Sequence, residues 1–125
     1  MSKNVFGNPI KICSTEPLTG YFRDGCCNTD EEDIGVHTVC ARVTQEFLEF
    51  SREQGNDLMT PNPDHHFDGL KPGDRWCLCA SRWYEAYKAG VAPPIDIEAT
   101  HEKTLDIIPM QLLIDYAEKS KDREE

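Results

Sequence analysis

The sequence predicts a small α+β domain, in which a short β-sheet carries about three helices on one face and follows a loop-rich N-terminal quarter. Two short apolar runs are each followed by a helical segment that ends at a glycine. Turn-forming residues crowd the first 35 positions. The 125 residues suit a single domain, with a core at about 5–118 and a charged tail at 119–125.

The N-terminal quarter has one predicted strand, at 9–13 (PIKIC), where apolar and polar residues alternate. The run 29–33 (TDEED) is interpreted as a solvated acidic turn. Apolar side chains spaced along the region are expected to fasten it to the rest of the domain. They are Phe6, Ile10, Ile12, Leu18, Tyr21 and Phe22.

The first strand–helix unit lies at 37–54. Residues 37–43 (HTVCARV) predict a strand, because β-branched residues occupy alternate positions. Residues 44–54 predict a helix with Thr44 as its N-cap and Gly55 as its stop. The long loop that follows ends in Lys-Pro-Gly-Asp at 71–74, which favours a type II turn.

The second unit begins at 75–80 (RWCLCA), which predicts a buried strand, and continues as a helix at 81–89 with Ser81 as N-cap. Residues 95–100 (IDIEAT) alternate as a half-buried strand would. The segment 101–108 is compatible with a short helix or an extended chain. A last helix is predicted from Pro109.

Charge and composition narrow the classes of partner. The formal net charge of −10 argues against nucleic acid or an anionic membrane as the main partner, since both attract basic surfaces. A small molecule or a protein stays open as partner. No apolar run approaches the roughly 20 residues of a membrane span, and the N-terminal residues lack the apolar region of a signal peptide. We therefore expect a cytoplasmic protein.

The six cysteines are interpreted in the light of that compartment. Thiols stay reduced in the cytoplasm, so we rank free thiols first, metal ligands second and disulfides last. Cys77 and Cys79 alternate along a strand and share a face, with Cα atoms about 6.5–7 Å apart. That separation is at the upper edge for a disulfide, so we predict no Cys77–Cys79 bond.

Several blocks of the sequence, taken in order, resemble the domain-of-unknown-function family 2237. They are YFRDGCCNT (21–29), HTVCA (37–41), GNDL (55–58), GLKPGDRWCLCASRW (69–83), AGVAPP (89–94) and EATHE (98–102). The resemblance covers roughly Val5 to Ala117 and implies a small two-layer α/β sandwich. It implies no activity and no catalytic residue. The pair His65-His66 is not taken as a family feature.

The first functional hypothesis is a loop-lined Cys/His pocket, formed by 21–28, 56–74 and 98–102, that binds a small ligand or a metal. Arginines there would hold an anion, or would simply form ion pairs that tie the loops to the sheet. The candidate ligand-binding residues are Arg23, Arg75, Cys77, Cys79 and Glu102. Zinc is the cofactor of the metal version, with ligands from Cys26, Cys27, Cys77, Cys79 and a histidine, His37 or His101.

Two other hypotheses stay open. In a thiol-dependent enzyme, Cys26 or Cys27 would be the nucleophile, because neighbouring Arg23 favours a thiolate, and His101 or His37 would be the base. Alternatively, His101 only makes a local hydrogen bond at a helix start. In an interaction module, the cysteines would be inert core residues. The sequence has no GxGxxG, GxxxxGK[ST], GxSxG or HExxH motif.

Overall fold

The structure, a computed structural model, describes residues 2–65 and 67–118. Its strands are β1 (His37–Arg42) and β2 (Arg75–Cys79), and its α-helices are α1 (Gln45–Glu53), α2 (Ala80–Lys88) and α3 (Met110–Tyr116). Short 3-10 helices span Pro63–His65, Ile97–Ala99 and Glu102–Asp106. This is the small α+β fold that the sequence predicts. His66 and the predicted tail at 119–125 lie outside the described residues.

The two strands form an antiparallel sheet with two distinct faces. Ala41 lies opposite Trp76, and Cys40 lies opposite Cys77. Because successive side chains point to opposite sides of a strand, these pairs define two surfaces. The helix face carries Val39, Ala41, Trp76 and Leu78, and the loop face carries Cys40 and Cys77.

The helix face packs against all three helices in one apolar core. Phe47 from α1, Trp83 from α2 and Leu113 from α3 are fully buried within it. The Trp83 indole also stacks edge-on against Tyr116, with ring centroids 5.2 Å apart, and donates its Nε1–H to the carbonyl of Pro93 at 3.0 Å. The predicted placement of the helices on one face of the sheet is thus confirmed.

The two helix starts differ in how they are capped. Thr44 caps α1 as predicted, since its hydroxyl accepts the N–H of Phe47 at 3.1 Å. The prediction of Ser81 as N-cap is wrong, because α2 begins one residue earlier and Cys79 occupies the cap position without a side-chain hydrogen bond. The strand β2 runs straight into the helix, and the first helical N–H, that of Ala80, donates to the carbonyl of Val36 at 3.0 Å.

The predicted strand at 95–100 is wrong, although its buried positions are right. Ile95 makes only isolated bridges, with Ala41 and Ala117. Beyond it the chain tightens into a 3-10 turn, in which the N–H of Ala99 donates to the carbonyl of Asp96 at 3.1 Å. Local hydrogen bonds thus replace a strand ladder. The next segment, left open by the sequence, forms the 3-10 helix at Glu102–Asp106.

The N-terminal quarter is held differently from the prediction. Segment 9–13 is irregular apart from a bridge between Pro9 and Lys3. Most of the apolar side chains expected to fasten the region are exposed instead: Phe6, Ile12, Leu18, Tyr21 and Phe22. Two disulfides, Cys13–Cys40 and Cys27–Cys77, join the loops to β1 and β2. Ranking disulfides last was therefore wrong for four of the six cysteines.

Candidate functional site

A cleft of about 520 Å³ opens between the loops at 20–23 and 57–67, next to the sheet. This volume falls within the range of about 300–1,000 Å³ that is usual for small-molecule sites. The lining combines aromatic rings, basic groups and polar side chains. It consists of Gly20, Tyr21, Arg23, His37, Asp57, Leu58, Asn62, Phe67, Trp76 and Cys77.

Arg23 is held in the cleft by contacts on both of its sides. Its guanidinium lies over the Trp76 ring, 5.0 Å from the centroid, and donates to the carbonyl of Gly20 at 2.9 Å. Phe67 packs on the same indole with ring centroids 5.3 Å apart. Because a guanidinium has five N–H donors, these contacts leave donors available to a ligand.

Asp57 shapes its own loop. Its carboxylate accepts the hydroxyl of Thr60 at 2.6 Å and the backbone N–H of Met59 at 2.9 Å. The hydrogen bond from Thr60 is the main reason why the pKa of Asp57 lies below its usual range. The negative charge of Asp57 is therefore used to close the turn at 57–60.

His37 lies where the cleft meets the start of β1, and Asp33 orients its ring. The imidazole Nδ1 is 2.6 Å from a carboxylate oxygen of Asp33, whose side chain is almost fully buried. The second carboxylate oxygen accepts the backbone N–H of His37 at 2.9 Å and the hydroxyl of Thr29 at 3.0 Å. The Tyr21 ring lies nearly parallel to the imidazole, with centroids 6.4 Å apart.

Cys79 is a free cysteine beside that imidazole. It lies opposite His37 in the sheet register and is partly exposed. A hydrogen bond with Cys79 is the main cause that raises the pKa of His37 to about 9, and burial opposes this rise, while Asp33 adds to it. His37 is therefore a cation at neutral pH.

The turn between Asp33 and His37 has an unusual backbone that the site requires. A Cβ at Gly35 would lie 2.7 Å from Cε1 of His37 and 3.0 Å from Sγ of Cys79, so a larger residue there would have to displace the imidazole or the thiol. Val36 adopts a φ of 51°, which is rare for a β-branched residue. Its carbonyl accepts the N–H groups of Thr38 and Ala80, which ties the turn to the start of α2.

The other cysteines gather in the loop-face cluster, defined here as Cys13, Cys27, Cys40 and Cys77. The Sγ atoms of Cys13, Cys27 and Cys77 lie within 4.8 Å of one another, and all three residues are buried. Such a group of sulfurs can hold a metal or form disulfides, and here it forms two disulfides. Cys27 and Cys77 therefore present no thiolate for metal binding or nucleophilic attack. The predicted absence of a Cys77–Cys79 bond is confirmed.

Cys26, the other predicted nucleophile, is a free thiol in unfavourable surroundings. Burial, followed by the charge of Asp24, raises its pKa. The expected help from Arg23 does not arise, because that side chain turns to Gly20 and Trp76. The surroundings of Cys26 therefore disfavour its thiolate, whereas the sequence predicted that Arg23 would favour it.

His101 and Glu102 are not among the residues that line the cleft. The ring Nδ1 of His101 accepts the backbone N–H of Lys103 at 3.0 Å and caps the 3-10 helix at Glu102–Asp106. Burial is the main cause that lowers the pKa of His101, so its ring is neutral. This geometry matches the local hydrogen bond that the sequence offered as the alternative to a base.

Arg75 forms ion pairs within the protein, which the sequence offered as the alternative to binding an anion. Its guanidinium binds Asp96 and Glu118, each at 2.7 Å, and Arg42 binds the same Glu118 at 2.6 Å. These contacts tie the end of the sheet to the chain at Asp96 and to the chain just after α3 at Glu118. Arg75 is therefore engaged with carboxylates of the protein itself.

Sequence reasoning missed Asp33 and the aromatic part of the cleft. Asp33 was assigned to a solvated turn, yet it is the buried partner of His37. The usable signal was a carboxylate four residues before a histidine, with Gly35 between them. Trp76 and Phe67 gave no such signal, because their positions in the cleft depend on how distant loops meet.

Comparison with known proteins yields a family and no activity. No curated protein matches the chain. No helix among the described residues is long and apolar enough to cross a membrane. A family model described as an uncharacterized protein conserved in bacteria (DUF2237) matches residues 3–117, nearly the whole chain. The chain therefore belongs to the DUF2237 family.

Proposed function

We propose that the protein binds a small anionic ligand with a planar, unsaturated group in the cleft between the loops at 20–23 and 57–67. One observation carries this proposal. The guanidinium of Arg23 and the cationic imidazole of His37 line the same cleft as the rings of Trp76 and Phe67.

The charges of the cleft favour an anion. The whole chain has a formal net charge of −10, so two cations at one concave site stand out from the rest of the surface. Among the lining residues that the structure describes, Asp57 is the one carboxylate, and its oxygens accept hydrogen bonds from its own turn. Arg23 can bind a carboxylate through its remaining donors. The charge of His37 is shared with its partner Asp33, so Arg23 supplies the main attraction for an anion.

The rings of the cleft favour a planar ligand. Trp76 and Phe67 already pack against each other, and Tyr21 lies against His37. Flat apolar surfaces at the base of a polar cleft stack on unsaturated groups, and buried polar groups orient them. A ligand with a ring or conjugated chain next to a carboxylate matches both features.

The test is a titration with benzoate, followed through the indole N–H signals in an NMR spectrum. We expect the Trp76 signal to shift and the Trp83 signal to stay, because Trp83 is buried among the helices and bonded to Pro93. Neutral benzamide should bind at least tenfold more weakly. Arg23→Gln should weaken benzoate binding by a similar factor.

Arg82→Gln is the matched control, since Arg82 pairs with Glu85 and is not among the cleft-lining residues. It should leave benzoate binding unchanged. Equal binding of benzoate and benzamide would show that the negative charge of the ligand does not contribute, and would contradict the proposal of an anionic ligand. A Trp76 signal that responds to neither compound would reject this ligand class and favour an interaction module.

A further inference from the structure

Asp33, His37 and Cys79 form a continuous chain of side chains that ligand binding alone does not require. Both oxygens of the buried Asp33 carboxylate are used to hold His37 and Thr29. With Nδ1 bound to Asp33, the remaining Cε1–Nε2 edge of the imidazole is the part that can serve Cys79. In cysteine enzymes a histidine held by a third group plays this part towards the nucleophile.

The imidazole edge and the thiol crowd a single point. The position of a Cβ at Gly35 is 3.2 Å from Nε2 of His37, 2.7 Å from its Cε1 and 3.0 Å from Sγ of Cys79. The antiparallel register supports this closeness, since it places His37 and Cys79 side by side at the end of the sheet. Glycine at 35 therefore lets the turn pass over both groups without separating them.

The start of α2 also favours a negative charge on the sulfur of Cys79. Cys79 is the N-cap residue of α2, a helix of nine residues. The first N–H groups of a helix lack intrahelical partners and carry partial positive charge, which favours an anion there. The N–H of Ala80 is bound by the carbonyl of Val36, and the side chain of Cys79 makes no cap hydrogen bond. The N–H groups of Ser81 and Arg82, the next two in the first turn, also lack intrahelical partners, so they are the oxyanion donors of the site proposed below.

We propose that Cys79 is the nucleophile of an acyl-transfer site, with His37 as its acid–base partner and Asp33 as the positioning residue. The substrate class is an activated acyl compound, such as an ester or thioester. Cys79 is not itself among the cleft-lining residues, so the acyl group reaches it past His37, which lines the cleft. The inference does not depend on the identity of the anion proposed for the cleft.

The reaction balances with the groups present and water. The Cys79 thiolate attacks the carbonyl carbon and forms a C–S bond, while the carbonyl π electrons move to oxygen, where helix N–H groups stabilise the charge. When the tetrahedral adduct collapses, the bond to the leaving group breaks, and that group takes a proton from Nε2 of His37. Water then attacks the thioester, gives one proton to His37 and adds its hydroxyl to carbon. Breaking of the C–S bond releases a carboxylic acid and regenerates the thiolate.

The other cysteines cannot take this role as they stand. Cys13, Cys27, Cys40 and Cys77 are in disulfides. Cys26 is free, and its raised pKa disfavours the reactive form. Cys26 is therefore an internal reference, because both free thiols can be followed in the same sample.

The first experiment measures alkylation by iodoacetamide at neutral pH, with peptide mass analysis to separate Cys79 from Cys26. We expect Cys79 to react at least tenfold faster than Cys26. His37→Gln should slow Cys79 at least tenfold and leave the rate at Cys26 unchanged. Asp33→Asn should shift the pH profile of Cys79 alkylation, and Asp33→Glu should restore it in part. A Cys79 rate that is indifferent to His37→Gln would overturn the assignment.

The second experiment tests the acyl step with p-nitrophenyl acetate. We expect a rapid release of one equivalent of p-nitrophenol and an acetyl group on Cys79. Cys79→Ala should abolish the burst, and Cys26→Ala should retain it. Failure to find acetyl on Cys79 in a protein with a fast-alkylating thiol would reject acyl transfer. Benzoate binding by Cys79→Ala reports separately on the cleft, so the two proposals can fail independently.

Discussion

On the helix face of the sheet, Phe47, Trp83 and Leu113 are fully buried, and the three helices share one apolar core. On the loop face, the adjoining segments carry exposed apolar side chains and are held by two disulfides and by buried polar groups such as Thr19. The same two strands thus support two kinds of stability. The helix face gains its stability from hydrophobic burial, and the loop face gains it from cross-links and hydrogen bonds.

This difference explains where the functional groups lie. A loop face that has few apolar contacts can carry polar side chains without disturbing a packed core, since loops tolerate polar surroundings. The turn from Asp33 to His37 and the cap position of Cys79 both lie at the edge of that face. Cross-links to Cys40 and Cys77 keep the loops in place where hydrophobic packing does not.

The largest expected effect is the loss of stability on adding a reductant, which should act on the loop face and not on the helix face. Closing loops of 27 and 50 residues stabilises a protein by about 3.5 and about 4 kcal/mol in the chain-entropy treatment. Reduction of the native protein should therefore lower the denaturant midpoint strongly. The double variant Cys27→Ala/Cys77→Ala should reproduce about 4 kcal/mol of that loss.

Trp83→Ala is the matched change on the helix face. It should cost about 3–5 kcal/mol, because the variant loses a fully buried ring. The further loss caused by a reductant should be as large in this variant as in the native protein. A native protein whose midpoint does not respond to a reductant would show that the disulfides do not hold the loop face.

A smaller effect concerns pH and the charge on His37, which is stabilised mainly by Cys79 and secondarily by Asp33. The pKa of His37 is raised to about 9, from an ordinary value of 6.5, so its contribution to stability is complete below pH 6.5 and is lost as the pH rises through 9. The pKa of Asp33 is lowered, so its contribution is lost only in acid, as the pH falls through that lowered value. We expect the melting temperature to fall by roughly a few degrees between pH 6.5 and 9.5.

Besides Cys79, which is the main cause of the raised pKa of His37, other titrating groups near the ring set the controls for that measurement. Tyr21 stacks on the ring, but its pKa is raised above 10, so it stays neutral in this window. Cys26 has a raised pKa and would also lower stability at high pH, so the comparison uses Cys26→Ser as background. In that background, His37→Gln should flatten the profile. An unchanged slope in His37→Gln would disprove the contribution of the charged His37.

The smallest effect lies within the helix face, at the two helix starts. Thr44→Ala should destabilise the protein by about 1 kcal/mol, because it removes the hydroxyl that caps α1. Ser81→Ala should change stability by less than about 0.5 kcal/mol, since Ser81 is exposed and is not the cap of α2. Denaturant unfolding of both variants measures the difference. A cost at Ser81 equal to that at Thr44 would restore the sequence-based assignment of the cap.

The sequence predicted elements best where local pattern and burial agree. The strands around Cys40 and Cys77, the cap at Thr44 and the turn at Gly73 follow from short-range signals, and the turn shows the expected positive φ of 98° with a hydrogen bond from Asp74 N–H to Lys71 at 3.0 Å. The prediction failed at 95–100, where alternating burial was real but the hydrogen bonds closed a 3-10 turn. Periodicity reports which side chains are buried, and it does not report where the backbone finds its partners.

By itself, the sequence determined that this chain forms a small α+β fold with helices on one face, and it indicated that Cys77 and Cys79 do not bond to each other. Only the tertiary structure decided which cysteines pair, which thiols stay free and which histidine meets one of them. Strand and helix patterns arise from interactions over a few residues, whereas Cys27 and Cys77 are 50 positions apart. Their meeting depends on the path of the loops, and the antiparallel register that brings His37 to Cys79 depends on the pairing of two distant strands.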